Sequence, residues 1–270
     1  MRRTFCIFVA IIGLALAGFA GVNAALASEV HNTLAPTGKL RVALLSGDAA
    51  QAIKDTTSGE LKGVGFDLGT DLARRLNVPF EPVLYPSIGA LLDGGKAGAW
   101  DVAFLGFTPA RAKELDFTAP HLEVEFGYLV PAGSTIASMA DVDQPGIRVA
   151  VQERGGPDAF ISRALKNAVV VRSRDYEAAV EMQKSGNADV IFSIKPILFE
   201  LSGQMPGSRV LDGSPGTILQ GMAMPKGRDA GLTYANSFIE EARSQGLVKA
   251  AVERAGLRGV IVPASQMPSR

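Results

Sequence analysis

The run from Leu105 to Asp116, Leu-Gly-Phe-Thr-Pro-Ala-Arg-Ala-Lys-Glu-Leu-Asp, carries the sharpest chemical signal in the chain. It continues from Trp100 to Phe107, a mostly apolar stretch suited to a buried parallel strand. Thr108 has an N-cap side chain and Pro109 suits a first helical position, so Arg111 falls in the first turn of a short helix. That end of a helix already carries partial positive charge, which makes a guanidinium there locally unfavourable. A carboxylate bound at the C-terminal edge of the sheet, assisted by free backbone N–H groups, would compensate it. A solvated arginine paired with Glu114 or Asp116 fits the spacing equally well.

Other chemistries are poorly supplied. The 270 residues contain 27 Lys+Arg and 27 Asp+Glu, a formal charge of zero, and no basic run, which argues against a nucleic-acid partner. His31, His121 and the lone Cys6 are too few for a zinc or copper site, and a disulfide within the chain is impossible. No metal or cofactor is expected. Gly63, Gly65 and Gly69 miss the spacing of a dinucleotide fingerprint. An aromatic content of 7% argues against a sugar binder that stacks rings on tryptophan.

The elements that must position Arg111 begin after an export signal. Arg2 and Arg3 precede a charge-free apolar stretch, Phe5 to Val22, and Ala25-Leu26-Ala27 is a small-x-small cleavage site. Cleavage there would leave 243 residues carrying 25 basic and 27 acidic side chains, and no cysteine. An uncleaved N-terminal anchor is the alternative, because the stretch approaches spanning length. Residues 28–37 show no period and read as a flexible tail. From Lys39 a β-α-β-α-β series runs to Phe107, with strands at 39–45, 79–84 and 100–107, and helices at 66–76 and from Ser87. A strand at 126–130 and a polar connection lead to a second such series, with strands at 146–152, 168–172 and 188–193, and helices at about 157–166 and 176–185. Strands at 208–211 and 217–224 precede two amphipathic helices, 227–246 and one carrying Leu247, Val248, Ala251 and Val252. Those helices have no new sheet of their own and must bury their apolar faces on an existing lobe. The chain would then cross twice between two lobes, near Phe126 and near Gln220.

The segment from Gly59 to Ala73, the strand at Trp100-Asp101, Thr108 to Arg111 with Asp116 to Pro120, and Tyr128 to Val130 together resemble the polar-amino-acid class, family 3, of periplasmic solute-binding proteins. The order and spacing match over roughly residues 38–262. The resemblance implies an α/β fold of two lobes (type II), each a mixed or parallel sheet flanked by helices, joined by a two-strand hinge and closing on a small solute that is handed to an ABC permease. The divisions expected are a signal peptide at 1–27, the tail at 28–37, lobe one at 38–125, lobe two at 126–219, the return to lobe one with the C-terminal helices at 220–262, and a tail at 263–270. In the family, the arginine matching Arg111 holds the ligand's α-carboxylate.

Several positions depart from that pattern. The Ser or Thr usual five residues before the arginine is Gly106 here, so its hydroxyl contact is missing. The aspartate that receives the ligand's ammonium is replaced by Ile194, followed by Lys195. No ring-stacking aromatic stands in Ser46-Gly-Asp-Ala-Ala50. An ammonium without a carboxylate partner loses about 1.5–3 kcal/mol, which disfavours a conventional amino acid. Arg111 with Lys195 would favour an organic anion or dicarboxylate, unless Lys195 is only a solvated cap. The remaining ligand candidates are Thr108, Gly155 and Gly156 for backbone N–H groups, Ser46 and Asp48 as receivers of an amine, and Tyr85 as a wall.

The function expected is a periplasmic, monomeric binding protein without catalysis, closing on a small carboxylate-bearing anion or amino-acid-like solute and docking on a membrane permease. An exported dehydratase-like enzyme on the same scaffold is the rival, and would need Glu125, Glu153 or His121 in the cleft. A solute sensor or accessory protein is the third reading.

Overall fold

The computed structural model describes residues 28–55 and 58–265; the expected signal peptide lies outside the described residues. A helical segment, α1 (28–34), opens the chain where a flexible tail was expected, and it is anchored rather than loose. Leu34 and Ala35 are buried, and His31 Nε2 lies 2.5 Å from the Leu76 carbonyl. Too short to show a period, the segment is held by packing rather than by propensity.

In the first lobe, β1 (Leu40–Leu45) lies between β4 (Phe80–Tyr85) and β5 (Val102–Gly106), parallel to both, with Leu40 opposite Phe80 and Val42 opposite Val102. A strand covered on both faces needs a nearly continuous apolar run, and every residue of β1 except Arg41 is buried. A small antiparallel pair absent from the sequence reading, β2 (Ile53–Lys54) and β3 (Leu61–Lys62), leads into α2 (Val64–Leu76). Leu68, Leu72 and Leu76 of α2 face the core, and Asn77 ends the helix in the left-handed region at φ 54°. Ser87 caps α3 (Ile88–Lys96) by accepting the Ala90 N–H.

The pivotal strand is β6 (Leu115–Val130), whose 16 residues run through both lobes. Its first part pairs antiparallel with β11 (Thr217–Pro225) as far as Glu125 opposite Thr217. From Phe126 onward it pairs with β9 (Val190–Ile194), Phe126 facing Ile194. In the second lobe β7 (Arg148–Gln152) lies between β8 (Val169–Ser173) and β9, parallel to both. The helices α4 (Gly156–Ala164), α5 (Tyr176–Lys184) and α6 (Lys195–Gln204) cover that sheet, and β10 (Arg209–Val210) pairs with the end of β6. The strand order is therefore β4-β1-β5-β11-β6-β9-β7-β8, two α/β halves built on one continuous strand.

After β11, the helices α7 (Asp229–Ser244) and α8 (Leu247–Arg254) lie on the first lobe. Arg75 bonds Glu241 at 2.7 Å and covers the Phe238 ring, while Arg254 bonds Asp67 at 2.7 Å. A last strand, β12 (Val260–Ile261), pairs with β6, and Ser265 donates to Glu240, so residues 263–265 are held against α7 rather than trailing.

The halves share a local device. Arg41 on β1 clamps Asp101 before β5 with its backbone N–H, Nε and Nη2, and gives Nη1 to Gly98. Arg148 on β7 repeats the arrangement with Asp189 before β9 and with Gly186.

Candidate functional site

Parallel strands that end side by side leave their C-terminal loops facing one crevice, and here two such edges face each other. The first lobe brings the loop after β1 and the turn after β5; the second brings the loop after β7 and the N-termini of α5 and α6. Between them lies an inner cavity of about 30 Å³, lined among others by Asp48, Gly106, Arg111, Gly155, Gly156, Tyr176, Ile194 and Gln220. A cavity of about 430 Å³ shares Arg111 and Gly155 with it and includes Thr108, Arg154 and Arg172. Another cavity, about 780 Å³, lies between Ser46, Lys54 and Tyr85 of the first lobe and Asp175, Glu177 and Gln204 of the second.

Arg111 opens a three-residue 3-10 turn, Arg111–Lys113, rather than an α-helix, and Thr108 Oγ1 accepts its backbone N–H at 3.2 Å. The turn aims the side chain inward, where it is 7% exposed. Nη1 donates to the Gly106 carbonyl at 2.8 Å, and Nη2 crosses to the Arg154 carbonyl of the second lobe at 2.9 Å. Neither Glu114 nor Asp116 pairs with it; Lys96 holds the first and Lys226 the second. Among the described residues no carboxylate lies within 4.0 Å of this guanidinium. Burial lowers its pKa to about 10, with Tyr176 opposing that shift and Arg154 adding to it, so it stays cationic at neutral pH.

Gly106 owes its lack of a side chain to Ile218 on β11. A Cβ at Gly106 would lie 2.5 Å from Ile218 Cδ1, and one at Gly156 would collide with the same methyl. The missing hydroxyl is thus replaced by an apolar wedge from a different strand. Gly155 is the N-cap of α4, and the first-turn N–H groups of that helix have no intrahelical acceptor.

Asp48 is fully buried in the loop after β1; Oδ1 accepts the Ala50 N–H at 2.9 Å and Oδ2 accepts Gln51 Nε2 at 3.2 Å. Burial raises its pKa to about 6 against the pull of those two donors. Ser46, by contrast, is exposed, and with Tyr85 it lines the outer cavity rather than the inner one. Tyr85 packs its hydroxyl end against Gly94.

Lys195 is not in the cleft, neither as a second cation for the solute nor as a solvated cap. As the first residue of α6 it turns toward β6, where its ammonium bonds Glu125 Oε2 at 2.5 Å beside Gly259. The strand crossing at residues 125–126 brings that carboxylate to the helix start, which no local spacing could reveal. The three acid–base candidates also lie away from the inner cavity: Glu125 holds Lys195, Glu153 is exposed, and His121 is fully buried in the first-lobe core at the edge of the Phe104 ring. Burial and Arg243 lower the His121 pKa to about 3, which leaves it neutral. Among the described residues no group of three or more His, Cys, Asp or Glu is arranged to hold a metal.

The sequence reading passed over Gln51, Tyr176, Ile218 and Gln220. Gln51 Oε1 accepts the Leu45 N–H at 2.8 Å, tying the loop back to β1. Tyr176 Oη and Ser193 Oγ share a hydrogen bond of 2.9 Å. Gln220 is 3% exposed, and its Oε1 has no partner among the described residues. Inverted alternation was the available signal on β11, where apolar Leu219 is 44% exposed beside the buried Gln220.

A family model described as bacterial extracellular solute-binding proteins, family 3, matches residues 40–256. The ABC transporter glutamine-binding protein GlnH of Bacillus subtilis (strain 168) is 26% identical over 247 residues, 88% of this chain and 89% of the relative. A mutant of ArgBP from T. maritima superposes with a TM-score of 0.72 at 23% identity, covering 84% of this chain and 99% of that one. An ancestral amino acid-binding protein, AncCDT-1, a precursor of cyclohexadienyl dehydratase, superposes with a TM-score of 0.68 at 24% identity, covering 81% and 95%.

Proposed function

Because the chain belongs to family 3 of the bacterial extracellular solute-binding proteins, we propose that it is the exported substrate-binding protein of an amino-acid ABC importer, closing on a small carboxylate-bearing solute and presenting it to a membrane permease. The observation that carries this reading is Arg111, 7% exposed, with both terminal nitrogens on neutral carbonyls and an inter-lobe cavity before it. A buried cation without an anionic partner is costly to maintain, and a solute carboxylate in that position would return the lost solvation as charge-assisted hydrogen bonds. Gly106, Thr108, Gly155 and Gly156 would frame the carboxylate with backbone and hydroxyl groups. Closure would take place about the β6 crossing at residues 125–126 and the return within β11 near Gln220, which makes 38–125 with 220–262 one moving body and 126–219 the other. The glutamine-binding relative supports an amino acid as the solute class.

Thermal-shift measurements with L-amino acids, monocarboxylates and dicarboxylates test it. A bound solute at a hundredfold excess over its Kd adds about 2.7 kcal/mol of stability, and Arg111→Ala should abolish that shift. A response confined to neutral sugars or cations, or an undiminished shift in the alanine variant, would overturn the proposal. Asp48, buried in a closed cleft and titrating near 6, favours one second reading, an enzyme using it as acid or base. Conversion of a bound solute into a new product would establish that alternative.

A further inference from the structure

Two opposite charges are buried at the inner cavity, and among the described residues neither has an ion-pair partner. Arg111 has only carbonyl acceptors, and Asp48 only the Ala50 N–H and one Gln51 N–H. A carboxylate has about four acceptor positions, so Asp48 keeps acceptor capacity, and among the described residues no cation lies within 4.0 Å of it. Gln51 Oε1 already accepts the Leu45 N–H. Gln220 lines the same cavity, and its Oε1, buried and without a partner among the described residues, is a further acceptor. Among the described residues the second lobe brings no carboxylate to this cavity: Ile194 lines it, and the neighbouring Ser193 is engaged with Tyr176.

We infer that the solute is a zwitterionic amino acid whose ammonium group is held by the first lobe, between the Asp48 carboxylate and Gln220 Oε1, while its carboxylate lies on Arg111. This rests on the carboxylate reading of Arg111. Buried acceptors on one side and a buried guanidinium on the other complement a dipolar ligand, each end removing an uncompensated charge. All three anchors belong to the first lobe, so both charged ends of the solute are engaged by one half before closure. The second lobe then closes over it with the α4 N-terminus, Tyr176 and apolar walls.

Isothermal titration at about pH 7.5 tests this with the twenty L-amino acids and, for the tightest binder, the 2-hydroxy acid bearing the same side chain. Wild-type protein should prefer the amino acid. Asp48→Asn should weaken the amino acid roughly ten- to a hundredfold while the hydroxy acid stays within about threefold of its wild-type affinity. Gln220→Met should reduce the same preference by a smaller factor. Equal weakening of both ligands by Asp48→Asn, no weakening, or a wild type without preference would overturn the inference and leave the carboxylate reading standing. No binding of any amino acid by the wild type would likewise overturn the inference alone, whereas solute binding unchanged in Arg111→Ala would overturn the carboxylate reading and this inference with it.

Discussion

A buried aspartate that titrates near 6 carries a stability cost at neutral pH that the fold retains. Asp48 ionises at about 6 in the folded chain against 3.8 when freely solvated, because burial outweighs its two hydrogen bonds. An acid whose pKa is raised on folding stabilises the native state most below the unfolded value. That contribution is lost as pH rises from about 4 to about 6 and stays lost above. Converted at 1.36 kcal/mol per pH unit, the loss is about 3 kcal/mol. Asparagine at this position would place an N–H against Gln51 Nε2, a penalty independent of pH. The expected result is therefore a difference in unfolding free energy, wild type minus Asp48→Asn, that falls by about 2 kcal/mol between pH 4 and pH 7 in solute-free urea titrations. A difference that stays flat across that range would mean that Asp48 does not keep a buried charge. Neighbouring residues show why the site was only partly legible. Arg111 announced itself by being cationic where a turn begins, a conflict visible in local spacing. Asp48 was visible as a possible amine receiver, but its complete burial was not, and Gln220, which lines the same cavity, stands 172 positions further along the chain.

At the scale of elements, the two halves repeat one architectural lock with different degrees of burial. Asp101 is fully buried beneath Arg41, with Arg228 3.8 Å away, whereas the Asp189 side chain beneath Arg148 is 30% exposed. Removing one partner strands a buried charge in the first case and a partly solvated one in the second. Asp101→Ala should cost about 3 kcal/mol and Asp189→Ala distinctly less, measured as urea midpoints with hydrogen exchange assigning each loss to its lobe. Equal losses, or the larger one in the second lobe, would contradict the burial argument. Both aspartates precede a buried strand, Asp-Val-Ala-Phe after Trp100 and Asp-Val-Ile-Phe after Ala188, which is why the two α/β series could be read from hydrophobic period alone. Lys195 could not be placed in the same way. Its sequence neighbours are those of a helix start facing a crevice, and only the crossing of β6 supplies the Glu125 that turns it away. The segment at 28–34 failed for a related reason, since its burial comes from the first-lobe core and not from any pattern of its own.

For the molecule as a whole, the question is what holds the lobes together while the carboxylate seat is available. Arg154 bridges them twice: its carbonyl accepts Arg111 Nη2, and its guanidinium makes two bonds to Asp93 on α3, at 2.9 and 3.1 Å. Its backbone sits at φ 62°, a left-handed conformation that disfavours any residue with a Cβ and persists where surrounding bonds over-determine it. The carbonyl bond occupies the guanidinium that a solute carboxylate would take, and exchange of a neutral for a charged acceptor strengthens the contact. The Asp93 bridge is independent of the solute, so it should bias the equilibrium toward closure in both states. Both partners are largely exposed, 43% for Arg154 and 63% for Asp93, so the bias is small and screened by salt. Asp93→Ala should therefore speed solute dissociation by roughly two- to fivefold at low ionic strength and widen the solute-free molecule in small-angle scattering. At about 0.5 M salt, wild type and variant should converge as screening removes the bridge's contribution. Unchanged dissociation and unchanged dimensions at low salt would show that the bridge forms only after closure is complete, and that β6 and the solute alone govern the closing motion.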